Sequence, residues 1–258
     1  MPVETSQLLA YVFGFALVAT RVTGAFYFVP IPGIDQVSWQ AKTLMILAIT
    51  FSLFALWPAP DPRQHAIVAV LVSGMIKEAT IGMGLGLIVM LSTECLGFCF
   101  HMVGLQAGFT FASTIDPNTQ ADSPVLEVMG RTVAGLLFFA LGLHHAVIRA
   151  FAASLQAHPA GSWTLGPGII EPVIRLFQVM LATGLRLAMP VVASMVLIDV
   201  ALALIGRVNS HLQLLHLAFP VKLAASLVLV AWILIAVPSV FGELATHVLD
   251  VLRLALGA

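Results

Sequence analysis

Long apolar runs separated by proline and glycine dominate the chain. They cover approximately residues 8–29, 41–57, 66–91, 95–113, 128–155, 173–206 and 212–241, and a short amphipathic tail follows at about 243–256. The breaks carry turn-forming residues: Pro30-Ile-Pro-Gly33, Pro58-Ala-Pro-Asp-Pro62, Asp116-Pro117, His158-Pro-Ala-Gly161 and Gly166-Pro-Gly168. A span of the bilayer needs about 20 apolar residues. Some runs reach that length, while others fall short or are broken by charge. The first follows Met-Pro-Val-Glu-Thr-Ser-Gln, which has no basic n-region, and no small-residue cleavage site comes after it. It is expected to be a first helix and not a removed signal peptide.

Composition turns this pattern into a class. Of the 258 residues, 60% are hydrophobic and 9% charged, against about 25% charged in soluble domains. The expectation is an all-α polytopic membrane protein. Net charge is −1 and no basic tail is present, which argues against nucleic acid and acidic ligands as partners. Cys95 and Cys99 lie four apart on one apparent helix. That spacing suits neither a disulfide nor a closed zinc site, so both are expected to be small apolar fillers. Lys and Arg are too thinly spread over the loops to assign an orientation.

Charges inside the apolar runs are the next signal: Arg21, Lys77, Glu78, Glu94, Arg186 and Asp199. A charge at the bilayer centre costs at least ~2.5–3.5 kcal/mol, so each should face protein or water. Lys77 and Glu78 are adjacent and need separate partners. Arg186 and Asp199 flank Pro190 and would stand roughly 140° apart on a straight helix, so pairing them would need a kink at the proline. So many charges in a small chain favour partners on neighbouring subunits. Gly82 and Gly86, like Gly104 and Gly108, have the small-xxx-small spacing that lets helix backbones approach closely.

The stretch Gly104-Leu-Gln-Ala-Gly-Phe-Thr-Phe-Ala-Ser-Thr-Ile-Asp-Pro117 is unusual for its surroundings. It holds two glycines, Gln106, three hydroxyl residues and an Asp-Pro turn between apolar runs. Irregular backbone does not face lipid, because unpaired N–H and C=O groups there cost several kcal/mol. The stretch should line or fill a protein cavity.

Signals for catalysis are weak. His144-His145 would point about 100° apart on a helix, and His101 and His158 lie elsewhere. The sequence has no H-E-x-x-H, G-x-S-x-G or P-loop pattern. No enzyme, metal or cofactor is expected, and the adjacent histidines are read as interfacial residues near a helix end. A small-solute transporter is the rival reading, since intramembrane charges and Gln106 suit one. Against it, no internal repeat of helical bundles is visible.

Gly104–Pro117, followed by Pro124-Val-Leu126, resembles the signature region of the flagellar biosynthesis protein FliR family. That superfamily also includes the equivalent subunit of virulence type III injectisomes. The resemblance extends over nearly the whole chain: Arg21, Pro30 and Lys42; Glu78-x-x-Ile81-Gly82-x-x-Leu85-Gly86; Leu187-Ala-Met-Pro190-Val; Leu202-Ala-Leu with Arg207; and Phe219-Pro220-Val-Lys222. Two departures stand out. Ser210-His211-Leu212 replaces the family's usual Pro-Gln-Leu, so no partner contact is carried over to the 207–215 turn. His101 stands where an acid is common. Histidine titrates near neutrality, and a neutral, hydrogen-bonded His101 is expected.

The resemblance implies a fold of kinked helical hairpins in an export-gate architecture. Residues 1–165 correspond to a FliP-like part, and 166–258 to a FliQ-like hairpin and tail. The implied role is a non-enzymatic core subunit of the gate in the bacterial inner membrane, at the flagellar basal body. A single copy joins FliP-like and FliQ-like subunits and closes their ring among other export-apparatus membrane proteins. Unfolded substrates pass outward, driven by the export ATPase and the proton-motive force. Gly104, Gln106, Gly108, Phe109, Phe111, Asp116 and Pro117 are the expected plug or constriction, with Gln106 and Asp116 satisfying loop backbone. Arg21, Lys77, Glu78, Arg186, Asp199, Arg207 and Lys222 are the expected buried charges or subunit contacts, and Pro190 and Pro220 the expected kinks. An injectisome subunit is the nearest alternative.

Overall fold

A computed structural model describes residues 2–28, 38–54, 68–108, 125–161, 170–208 and 214–256. Seven helices are described: α1 (Pro2–Phe28), α2 (Trp39–Ser52), α3 (Val68–Ala107), α4 (Val125–Ala140), α5 (Leu143–Ala157), α6 (Ile170–Val208) and α7 (Leu214–Leu256). No strand occurs among the described residues, and the all-α class holds. α1, α3, α6 and α7 are each long and apolar enough to cross a membrane, and α4 with α5 add a fifth span if that bent pair counts as one. The chain is a polytopic membrane protein.

Helix boundaries depart from the apolar runs in three places. The runs at 66–91 and 95–113 fuse into the 40-residue α3, because Ser92, Thr93 and Glu94 interrupt the hydrophobicity but give the backbone no reason to break. The run at 128–155 is split in two by Gly142, at φ +68°, a left-handed conformation that costs glycine little. The tail expected as a separate amphipathic segment continues α7, which runs 43 residues through Pro220 and Pro238. At 1.5 Å per residue, α3 is about 60 Å long, roughly twice the hydrocarbon core. α3, α6 and α7 therefore extend well past a single bilayer crossing.

The chain divides into two compact units. Unit 1 comprises Met1–Leu91, Gly142–Leu176 and Thr246–Ala258; unit 2 comprises Ser92–Leu141 and Phe177–Ala245. In unit 1, α1 and α3 cross backbone to backbone. A Cβ placed on Gly82 would lie 2.0 Å from the Arg21 carbonyl oxygen, one on Gly86 2.4 Å from that of Ala25, and one on Gly24 2.8 Å from that of Ala79. Only glycine allows this approach, the physical content of the small-xxx-small spacing. Around the crossing, Val18 and Val22 of α1 cluster with Leu53 and with Leu155 of α5.

Unit 2 is built on the second half of α3, whose Cys95, Leu96, Cys99, Phe100 and Val103 are buried. The two cysteines are free thiols in that core. α4 packs on it at Gly130, where an added Cβ would sit 2.8 Å from the Phe100 ring and 2.9 Å from the Leu96 oxygen. α6 packs on it at Gly184, where the corresponding distance to the Cys95 oxygen is 2.9 Å. Within this unit, the face that α6 turns inward carries Met180, Gly184, Ala188, Val191 and Met195, the three-and-four spacing of an amphipathic helix.

Candidate functional site

Among the described residues, polar side chains on the apolar helices join neighbouring helices at one buried node in unit 1 and at two nodes in unit 2. In unit 1, Arg21 of α1 and Glu78 of α3 are fully buried. The Arg21 Nε donates to Glu78 Oε2 at 2.5 Å, Nη1 to Ser154 Oγ at 3.1 Å, and Nη2 to the His158 carbonyl at 2.9 Å. The other Glu78 oxygen accepts the backbone N–H of Gly161 at 2.8 Å, and Gly161 sits at φ +89°. Ser154 in turn donates to the Phe151 carbonyl. Both charges are thus paired and hydrogen-bonded, as burial requires. Glu78 and Gly82 are four apart on one face of α3, so the glycine contact that joins the helices also encloses the ion pair.

The first node in unit 2 links α3 and α4. The His101 Nδ1 lies 2.7 Å from Glu127 Oε2, and Arg131 reaches Glu127 Oε1 at 3.0 Å and Glu94 at 3.2 Å. The imidazole and the guanidinium thus share one carboxyl group, one at each oxygen, and tie α3 to α4.

The second node joins three helices. Lys222 Nζ of α7 lies 2.5 Å from Asp199 Oδ1 of α6, and the side-chain amide of Gln106, in the last turn of α3, donates to Asp199 Oδ2 at 3.5 Å. α3 then ends at Gly108, at φ +84°, whose N–H reaches the Leu105 carbonyl at 3.3 Å.

These contacts revise several expectations. Arg21 and Glu78, expected to meet partners on neighbouring subunits, find each other within the chain, where Ser154, His158 and Gly161 take up their remaining bonding groups. Asp199 finds its partner within the chain, in Lys222; Arg186, which was not expected to meet it on a straight helix, does not pair with it. The Gln106 amide donates to Asp199 of α6; the loop backbone it was expected to satisfy lies outside the described residues. Lys77 is half-buried, Arg186 and Arg207 are exposed, and none of the three has an ion-pair partner among the described residues. Pro190 lies inside α6, where it leaves the Arg186 carbonyl without its helical donor. Pro220 lies inside α7. His144 and His145 occupy the first turn of α5 with ring centroids 4.0 Å apart. Of the expected plug, Gly104, Gln106 and Gly108 belong to the end of α3; Phe109, Phe111, Asp116 and Pro117 lie outside the described residues.

Sequence reasoning missed Ser154, His158 and Gly161, which bind the buried pair from 76 or more positions beyond Glu78, and Glu127 and Arg131. The one signal available was for the last two: they are four apart, a spacing that pairs opposite charges on one helix face.

The sequence pattern of bacterial export proteins, family 1, matches residues 12–248. The chain belongs to that family. Among relatives of this export protein are flagellar biosynthetic proteins FliR. The one from Bacillus subtilis (strain 168) is 26% identical over 221 residues, covering 83% of each chain. That from Escherichia coli (strain K12) is 24% identical over 231 residues, covering 90% of this chain and 88% of its own. That from Caulobacter vibrioides is 24% identical over 239 residues, covering 92% and 94%. The family match, over residues 12–248, extends across both units of the export protein.

Proposed function

We propose that this chain is a non-enzymatic core subunit of the flagellar type III export gate in the bacterial inner membrane, where Gly104–Pro117 closes the channel that passes unfolded flagellar proteins. The observation that carries the reading is the family match across residues 12–248, joined to relatives named as flagellar over most of their length. The physical features agree with it. Three helices exceed one bilayer crossing, as an assembly that rises out of the membrane plane needs. α3 stops at a left-handed glycine where the polar stretch begins. Arg186 and Arg207 present cations on an apolar helix with no partner among the described residues, which suits acidic groups on adjoining subunits.

In this reading the chain assembles with FliP-like and FliQ-like subunits, residues 1–165 taking the FliP-like place and 166–258 the FliQ-like one. It contacts other membrane proteins of the export apparatus. Phe109 and Phe111 form an apolar constriction that excludes water and ions when no substrate is present. Lys77, Arg186 and Arg207 meet partners across subunit contacts.

Co-purification of the tagged chain with candidate FliP-like and FliQ-like chains, beside a deletion strain, tests the proposal. The expected outcome is a stable complex, with loss of motility and normal growth. A chain that purifies without either partner, or a deletion strain that swims, would overturn it. Loss of effector secretion with motility intact would assign the chain to an injectisome, and loss of solute uptake to a transporter.

A further inference from the structure

Lys222 sits two residues past Pro220 on an apolar helix and is only 19% exposed. A cation so placed needs an anion, and α6 supplies Asp199. The second oxygen of Asp199 meets the Gln106 amide. Gln106 stands in the last turn of α3, two residues before Gly108 ends the helix. That end of α3 carries the partial negative charge of its unsatisfied carbonyls, so a bare carboxylate beside it would be repelled. Lys222 neutralises Asp199 and leaves a neutral pair to which Gln106 can donate. The three side chains, from three helices, therefore work only together.

We infer that Gln106, Asp199 and Lys222 are positioning residues that fix the last turn of α3 to the α6/α7 pair, and so set the point from which the chain departs toward residues 109–124. The consequence for conduction rests on the closure reading proposed above; the latch itself does not. A device of this kind makes the end of α3 respond to α6 and α7, so any partner that shifts the hairpin would be felt where the polar stretch begins.

The test uses the assembled gate carrying Gln106→Leu, Asp199→Asn or Lys222→Met, with Arg175→Ala as control. Hydrogen exchange is read at the amides of the last turn of α3, and ion conductance in planar bilayers. Exchange there should quicken about fivefold for Lys222→Met and Asp199→Asn, and about two- to threefold for Gln106→Leu, the scale of losing a partly exposed ion pair and one long hydrogen bond. The Arg175→Ala control should leave it unchanged. The double swap Asp199→Lys with Lys222→Asp should recover most of the protection, because the Gln106 amide can turn its oxygen to a cation. Conductance should rise in the same order. Unchanged exchange in Gln106→Leu and Asp199→Asn would overturn the latch; Gln106→Leu keeps the ion pair, so this arm survives if the charge variants fail to assemble. Quickened exchange with wild-type conductance, in a gate that Phe109→Ala with Phe111→Ala does open, would also overturn its role. Quickened exchange in a gate that neither change opens would uphold the latch and reject the closure reading instead.

Discussion

The ion pair of unit 1 is enclosed on every side. Arg21 and Glu78 are both 0% exposed, three guanidinium nitrogens donate, and both carboxylate oxygens accept. The pair of unit 2 is open: Asp199 is 43% exposed, and its hold on α3 is one long hydrogen bond from Gln106. Opening the first pair would leave charge in an apolar interior, a state that costs several kcal/mol. Opening the second returns charge toward solvent or a neighbour at small cost. The same chemistry thus makes a rigid scaffold at the α1/α3 crossing and an adjustable joint at the end of α3. The helices differ likewise: the apolar window of α3 is 67% buried, against 17% for α6 and 22% for α7. α3 is the most enclosed of the three, and α6 and α7 leave most of their apolar residues uncovered by the rest of the chain.

The contrast can be broken most forcefully at Glu78. Glu78→Ala should remove about 3–5 kcal/mol of stability by stranding a buried arginine, seen as lost assembly and a lower melting temperature in detergent. The double variant Arg21→Met with Glu78→Met should be less damaging than either single change; additive losses would contradict an enclosed pair. Next comes the crossing beneath it. Gly82→Ala forces a methyl onto the Arg21 carbonyl and should cost at least ~1–3 kcal/mol. Gly84→Ala meets nothing within 4 Å and should stabilise α3 by up to about 1 kcal/mol through helix propensity. Lys222→Met should cost about 1 kcal/mol or less after allowance for solvent screening, with its main effect on the end of α3 and not on the melting temperature. The smallest effect belongs to Arg175→Ala: its bond to Glu171 joins side chains 74% and 73% exposed, and stability should change by under ~0.5 kcal/mol.

Helices and their membrane character were legible because apolar run length measures them directly. Breaks were less so. Ser92-Thr93-Glu94 looks like an interruption in hydropathy, but a helix ends for backbone reasons, and only Gly142 and Gly108 supplied them through left-handed φ. The charges were visible as anomalies, yet their partners were not. Arg21 finds Glu78 57 positions away and Ser154 133 positions away, a register set by glycines on two helices and readable only once those helices are docked. Partners on neighbouring subunits, which the number of charges favoured, are not needed by Arg21 and Glu78 once those helices dock. For the polar stretch, the sequence pointed to Gly104–Pro117 as a place, and the structure added how its first residues are held: Gln106 by Asp199, and Asp199 by Lys222.

Ion conductance of the reconstituted gate carrying Phe109→Ala with Phe111→Ala tests the central claim most directly. A clear rise in leak through a complex of unchanged composition is expected. Conductance equal to the unsubstituted gate, in a complex that still holds its FliP-like and FliQ-like partners, would contradict it.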